Sequence, residues 1–367
     1  MCMEKGNCLA MYKHNKISLL LITSLVLLCG SLNAKNLSDN AKKTDDTMQL
    51  SSEQKKSISA GLSHDCRVLL AECIHARNSI GDSVWNNWSK TDCPINVITK
   101  DYEYLTGFAD PPEEYTLLEH DKLLNADIYV KKRTFKQLLV GSALPLAGKL
   151  AVFISPPELF IDTFKIDMAF CRILLLHEMF HVHQINHFPD GLEGIKAAQL
   201  EIKYPYKVEL NNQLRGEEAV ILKKAILADS KADKISQIEL FIKKRQLRRE
   251  RMKKEFPDKY DNKSIEFEKF QEWLEGQARY TEVKIEEQMQ NPDYKAIPEF
   301  RCSRGNTFER EMNKLDCLAQ NSGEESDYAL GWAQWYVLDT LRPSWKTEAF
   351  AKNAAPESLL RKALTTD

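Results

Sequence analysis

The run His177, Glu178, Met179, Phe180, His181 places two imidazoles four residues apart with a carboxylate between them. On a helix, residues four apart share a face, so both rings can reach one ion with Glu178 beside them. Zinc in a hydrolytic site commonly takes three protein ligands and one water, and lowers the pKa of that water to about 7. A neighbouring carboxylate can then accept the water's proton as it attacks a carbonyl. His177 and His181 are thus candidate Zn2+ ligands and Glu178 the candidate general base. With 8 histidines in 367 residues, a chance HExxH is expected in roughly one or two such chains per hundred. A buried pair of histidines and a glutamate without an ion would also leave costly polar groups unpaired.

The third ligand is open at this point, because the chain offers several. His187 stands six residues past His181, at the last histidine of the metzincin pattern HExxHxxGxxH, but Gln184 occupies the glycine position. Glycine reaches positive φ freely and glutamine only at a cost. If the helix simply continues, His187 lies about 80° round and about 15 Å along the axis from His177, out of reach. The alternative is a carboxylate from a second helix. Glu217 and Glu218 in LRGEEAVILKKAIL, and Glu275 in WLEGQARYTEVK, are the candidates.

Trp273, Glu275, Gly276, Ala278 and Tyr280 resemble the W-x-x-E-G-x-A-x-Y run of gluzincin metallopeptidases of the peptidase MA-like group, with the tryptophan one residue closer to the glutamate. The resemblance implies Glu275 as third zinc ligand and a thermolysin-like core. Small residues at Gly276 and Ala278 would let two helices approach closely. Downstream, Tyr328, Gly331, Leu338, Asp339, Pro343 and Trp345 resemble the Y-x-x-G, L-D and P-x-W runs of exported HExxH proteins. This implies Tyr328 as donor to a developing oxyanion. Glu218 is a partner for a ligating histidine or a reserve ligand. The gap from His181 to Glu275 is longer than usual in that group, so the helices between them would be an insertion.

These residues need rigid carriers. Asp167 is a good helix start, and the stretch after it has no Gly or Pro until Pro189, which predicts a buried helix over about 168–186. Between 126 and 155, short apolar runs punctuated by Gly141, Pro145, Gly148, Pro156 and Pro157 predict a small sheet. An edge strand within 148–154 could hold an extended peptide by main-chain bonds. Helices are expected at 64–77, 206–228, 231–255, 265–290, 306–320, 326–341 and 356–364. The eight basic residues between 243 and 254 read as a solvated helix face beside an apolar stripe of Ile238, Leu240, Phe241 and Leu247.

At the N-terminus, Lys13 and Lys16, the apolar run Ile17 to Leu28 and Ala34 have the layout of a secretory signal, residues 1–34. The apolar run is short of the about 20 residues of a membrane span. Residues 35–57 read as a disordered leader, 58–130 as an N-terminal cysteine-containing segment and 131–367 as the metallopeptidase domain. Six cysteines remain after the signal, which permits disulfides in an exported chain. Cys302 with Cys317, and Cys93 with Cys66 or Cys73, are the expected pairs, and Cys171 a buried free thiol. A formal net charge of −2 gives no electrostatic case for nucleic acid or a membrane surface.

The expectation is an α+β, predominantly helical fold with a gluzincin core and a small sheet before the HExxH helix. Its function would be that of a secreted or periplasmic zinc peptidase acting on a peptide or protein substrate. The alternatives are an inactive, metallopeptidase-like binding protein and a metzincin-like protease using His187.

Overall fold

The computed structural model describes residues 50–188, 190–198, 204–302, 305–320, 323–351 and 354–365. The signal segment 1–34 and the leader up to residue 49 lie outside them. The leader was expected to run unstructured to residue 57, but helix α1, Ser52–Ser59, begins inside it. Ser51 and Gln54 cap it reciprocally, and Ser59 bonds Glu119. A polar stretch can thus hold a short helix when a capping box satisfies its first amides.

The chain forms a mixed α and β structure in which most residues are helical, and it divides into two compact units. The first comprises the described residues up to His183 together with Gln288–Gly305. Its long helix α2, His64–Val84, buries Cys66, Leu69, Leu70, Cys73 and Ala76. Six strands follow: β1 (Ile95–Ile98), β2 (Tyr102–Thr106), β3 (Thr116–Asp121), β4 (Ala126–Lys132), β5 (Gly141–Leu146) and β6 (Lys149–Ile154). They form one sheet in the order β3-β4-β2-β1-β6-β5, with β1 parallel to β6 and the other pairs antiparallel. Ala147 and Gly148, both at positive φ, close the β5–β6 hairpin as a two-residue turn.

The sheet before the HExxH helix is present and larger than the sequence implies. Strand β1 is a run of four residues buried throughout, and so short an apolar run has no period that separates strand from helix. The boundary drawn at residue 130 falls within β4, so 58–130 and the later strands share one sheet. The expected edge strand within 148–154 is also corrected. Strand β6 is paired on both sides, by β1 and β5, and the edges are β3 and β5.

The expected disulfides do not form, because Cys66, Cys73, Cys93, Cys171 and Cys302 all carry free thiols. Cys66 and Cys73 point into the core of α2's buried face, 1% and 0% exposed. Burial pushes the Cys171 thiol up to about 12. Helix α3, Pro157–Phe164, leads from the sheet to α4, Met168–His187.

The second unit comprises Gln184–Glu287 and Asn306–Asp367. It holds α5 (Gly191–Ala198), α6 (Glu209–Leu227), α7 (Lys231–Glu255), α8 (Asn262–Met289), α9 (Thr307–Asp316), α10 (Glu325–Leu341) and α11 (Pro356–Thr365). The basic run on α7 is only partly the solvated face expected from sequence. Arg245, Arg248 and Arg249 are buried among carboxylates of three other helices. Arg245 makes a two-point contact with Glu272, at 2.7 Å each, and bonds Glu218 at 2.9 Å. Arg248 bonds Glu218 and Glu268, and Arg249 bonds Glu268 and Glu357. Leu240 and Leu247, expected in the apolar stripe, are exposed instead. Removing one partner from such a buried pair typically costs 3–5 kcal/mol, so this cluster fixes the register of α6, α7, α8 and α11.

Candidate metal centre

Helix α4 starts where the sequence places it, with the Asp167 carboxylate accepting the Phe170 amide at 2.8 Å. Its apolar side chains Ile173, Leu175, Leu176, Met179, Phe180, Val182 and Ile185 are at most 2% exposed, as befits a helix packed on most sides. Two tryptophans ahead of the sheet hold its middle. Trp85 stacks on Phe180 with ring centroids 5.0 Å apart, and Trp88 meets the same ring edge-on at 6.0 Å. The Trp88 indole also donates to the Met179 carbonyl. On the same helix, His183 is paired with the Thr91 hydroxyl at 2.7 Å.

His177 and His181 are 6% and 4% exposed. Their Nε2 atoms face each other at 3.0 Å, with the rings nearly perpendicular. Two imidazoles that turn the same nitrogen toward a common point have the disposition of ligands to one ion. Glu178 follows His177 directly and is buried as well, at 5%. One Glu275 oxygen completes a buried group with the two histidines, all three donor atoms lying within 4.8 Å of one another. Two nitrogens and one carboxylate oxygen are a set that transition metals accept, so this group could hold a metal ion.

Glu275 sits on α8 where α8 crosses α10. A Cβ added at Gly276 would come within 2.6 Å of the Gly331 backbone, and one at Gly331 within 2.7 Å of the Glu272 carbonyl and the Gly276 Cα. Only glycine at both positions permits that approach. Tyr328, one turn ahead of Gly331 on α10, hydrogen-bonds the Glu275 carboxylate, and burial with this carboxylate keeps the phenol strongly protonated. Its hydroxyl is therefore turned to a member of the metal group, where the sequence implied an oxyanion donor. The guanidinium of Arg279 lies over its ring, 5.4 Å from the centroid. Next to it, Asp327 is held by Arg215 and by the Tyr206 hydroxyl. Burial pushes its carboxyl up to about 6 in spite of Arg215.

The three other candidate ligands are excluded by position. Glu218 is fully buried, but its two oxygens are taken by Arg245 and Arg248, at 2.9 and 2.6 Å. Neither the ligand role nor the histidine-orienting role fits it. Its neighbour Glu217 is exposed and pairs with Lys244. His187 ends a helix that continues straight through Gln184, and its exposed ring lies against Phe350. The chain reversal required by the metzincin arrangement is absent there.

Sequence reasoning missed Gln184, Asp327 and Glu324. Burial, with the Asp327 and Glu275 carboxylates nearby, pushes Glu324 up to about 7. An acidic pair at a helix start carries no pattern that would single it out. The motif residues Tyr280, Asp339 and Trp345 meet one another: Asp339 accepts from the Tyr280 hydroxyl and the Trp345 indole. No family model, curated protein or solved structure matches the chain.

Proposed function

We propose that this protein is a zinc-dependent peptidase of the gluzincin type, with His177, His181 and Glu275 as zinc ligands and Glu178 as general base. The observation that carries this reading is the buried group of two histidines and one glutamate, with a second buried glutamate beside the first histidine. Three protein ligands that leave a fourth position for water belong to catalytic zinc sites, whereas structural sites are closed by four. When bound, zinc would lower the pKa of a coordinated water to about 7 and polarise the carbonyl of the scissile bond.

The chain's own residues supply the rest. Glu178 takes the proton of the attacking water onto its carboxylate and returns it to the departing amine. Tyr328 fixes the Glu275 carboxylate by donating to it, as partners of metal ligands commonly do. The layout of residues 1–34 supports an exported, secreted or periplasmic enzyme acting on peptides or proteins. A binding protein on the same scaffold would have no use for Glu178.

The test is hydrolysis of a quenched-fluorescent peptide library by the zinc-loaded protein and by Glu178→Gln. Since a general base contributes about 10²–10⁴-fold, Glu178→Gln should lose activity by that factor while keeping its zinc. Equal activity in the two proteins, or none in the wild type, would remove the peptidase reading.

A further inference from the structure

We infer that Gln184 is a positioning residue for the metal centre: its amide grips α8 on both sides of Glu275 and sets where that carboxylate stands. The inference rests on the metal-site reading above.

Gln184 lies one turn past His181 on α4 and is 0% exposed. Its Nε2 donates to the carbonyls of Trp273 and Leu274, at 3.2 and 3.1 Å, and to Gln277 Oε1 at 3.0 Å. These three acceptors are the residues two before, one before and two after Glu275. The Gln277 amide passes the contact on to the Ala349 carbonyl at 3.0 Å, and the Trp273 indole donates to the same carbonyl at 2.7 Å. Phe188 packs on Trp273, ring centroids 4.7 Å apart. Mid-helix carbonyls already accept one bond each and have a second lone pair to offer, so the amide adds contacts to α8 without unwinding it.

The physical consequence concerns the third ligand. Glu275 reaches the histidines from a helix far along the chain, and a shift of α8 of about 1 Å, or a small rotation, would carry its oxygen out of coordination distance, which tolerates about ±0.2 Å. The Gly276–Gly331 crossing sets α8 against α10 only. Gln184, carried by the helix on which both imidazoles lie, holds α8 on either side of Glu275. The side chain at the place where a metzincin would have glycine is thus committed to aligning a carboxylate in place of a chain reversal. Neither helix periodicity nor a motif calls for glutamine there, and its role is visible in these three distances.

The test compares zinc affinity by competition with a chromogenic chelator, the visible absorption of the cobalt(II) form, and thermal stability in EDTA. The proteins are the wild type, His181→Ala and Gln184→Met, the last keeping the side chain's length without its amide. Second-sphere losses of this kind weaken metal binding by about 10–100-fold, and that loss is expected for Gln184→Met, with a weaker, shifted cobalt band. A residue that merely stabilised the fold would lower stability in EDTA and leave the affinity and cobalt band of the folded protein unchanged. That outcome overturns the inference while the site stands, provided His181→Ala abolishes binding. A wild type that binds no zinc overturns the site itself and the inference with it. Should Gln184→Met not fold, Gln277→Met removes the side-chain acceptor together with the Gln277 bond to the Ala349 carbonyl, and a smaller affinity loss is expected. No loss in that variant overturns the inference.

Discussion

The Tyr328 hydroxyl ends on the Glu275 carboxylate, and that bond changes what the residue is expected to do. A donor committed to a ligand orients it and tempers its charge, so removing the hydroxyl should act first on metal affinity. Tyr328→Phe is expected to weaken zinc binding about 10-fold or more, measured by chelator competition, and to lower peptide hydrolysis in proportion at limiting zinc. Full activity loss with unchanged zinc affinity would return Tyr328 to the oxyanion role. His177, Glu178 and His181 were legible in the sequence because a four-residue spacing on an unbroken helix fixes a shared face. Glu275 was legible only through its resemblance to a motif. Gln184 was not legible at all, since an amide donating to backbone carbonyls leaves no pattern of residue types.

Among the elements, the crossing of α8 and α10 does most to present Glu275. Gly276 and Gly331 touch backbone to backbone, and Tyr280, Asp339 and Trp345 tie the same two helices together farther along. Forcing a methyl group into such a contact costs about 1–3 kcal/mol, occasionally more. Gly331→Ala should therefore lower the unfolding free energy by about 3 kcal/mol in urea denaturation of the metal-free protein. A change below about 0.5 kcal/mol would mean that the helices separate without penalty. The helices α6, α7, α8 and α10 were legible within a few residues from their periodicity and breakers. The fate of the basic run on α7 was not. Whether Arg245 faces water depends on Glu218 and Glu272, carboxylates 27 residues away on either side, and local sequence does not encode their meeting.

For the molecule as a whole, the α+β class and the position of a sheet ahead of the HExxH helix were legible, while the sheet's extent was not. Three of its strands precede residue 126, in a stretch whose short apolar runs have no diagnostic period. Cys171 is the buried free thiol expected, but the disulfide pairs were misread for a related reason: pairing depends on which faces α2 and the later segments turn toward each other, and spacing along the chain says nothing of that. Among the described residues, no helix is long and apolar enough to cross a membrane. The account of function depends on one ion held by side chains from distant parts of the chain. X-ray absorption at the zinc edge, with zinc quantified by mass spectrometry, tests this most directly. One zinc per chain is expected, with two imidazole nitrogens and one carboxylate oxygen at about 2.0–2.2 Å, and Glu275→Ala should lose the carboxylate and most of the metal. A zinc content and spectrum unchanged by Glu275→Ala, or a sulfur ligand at about 2.3 Å, would contradict it.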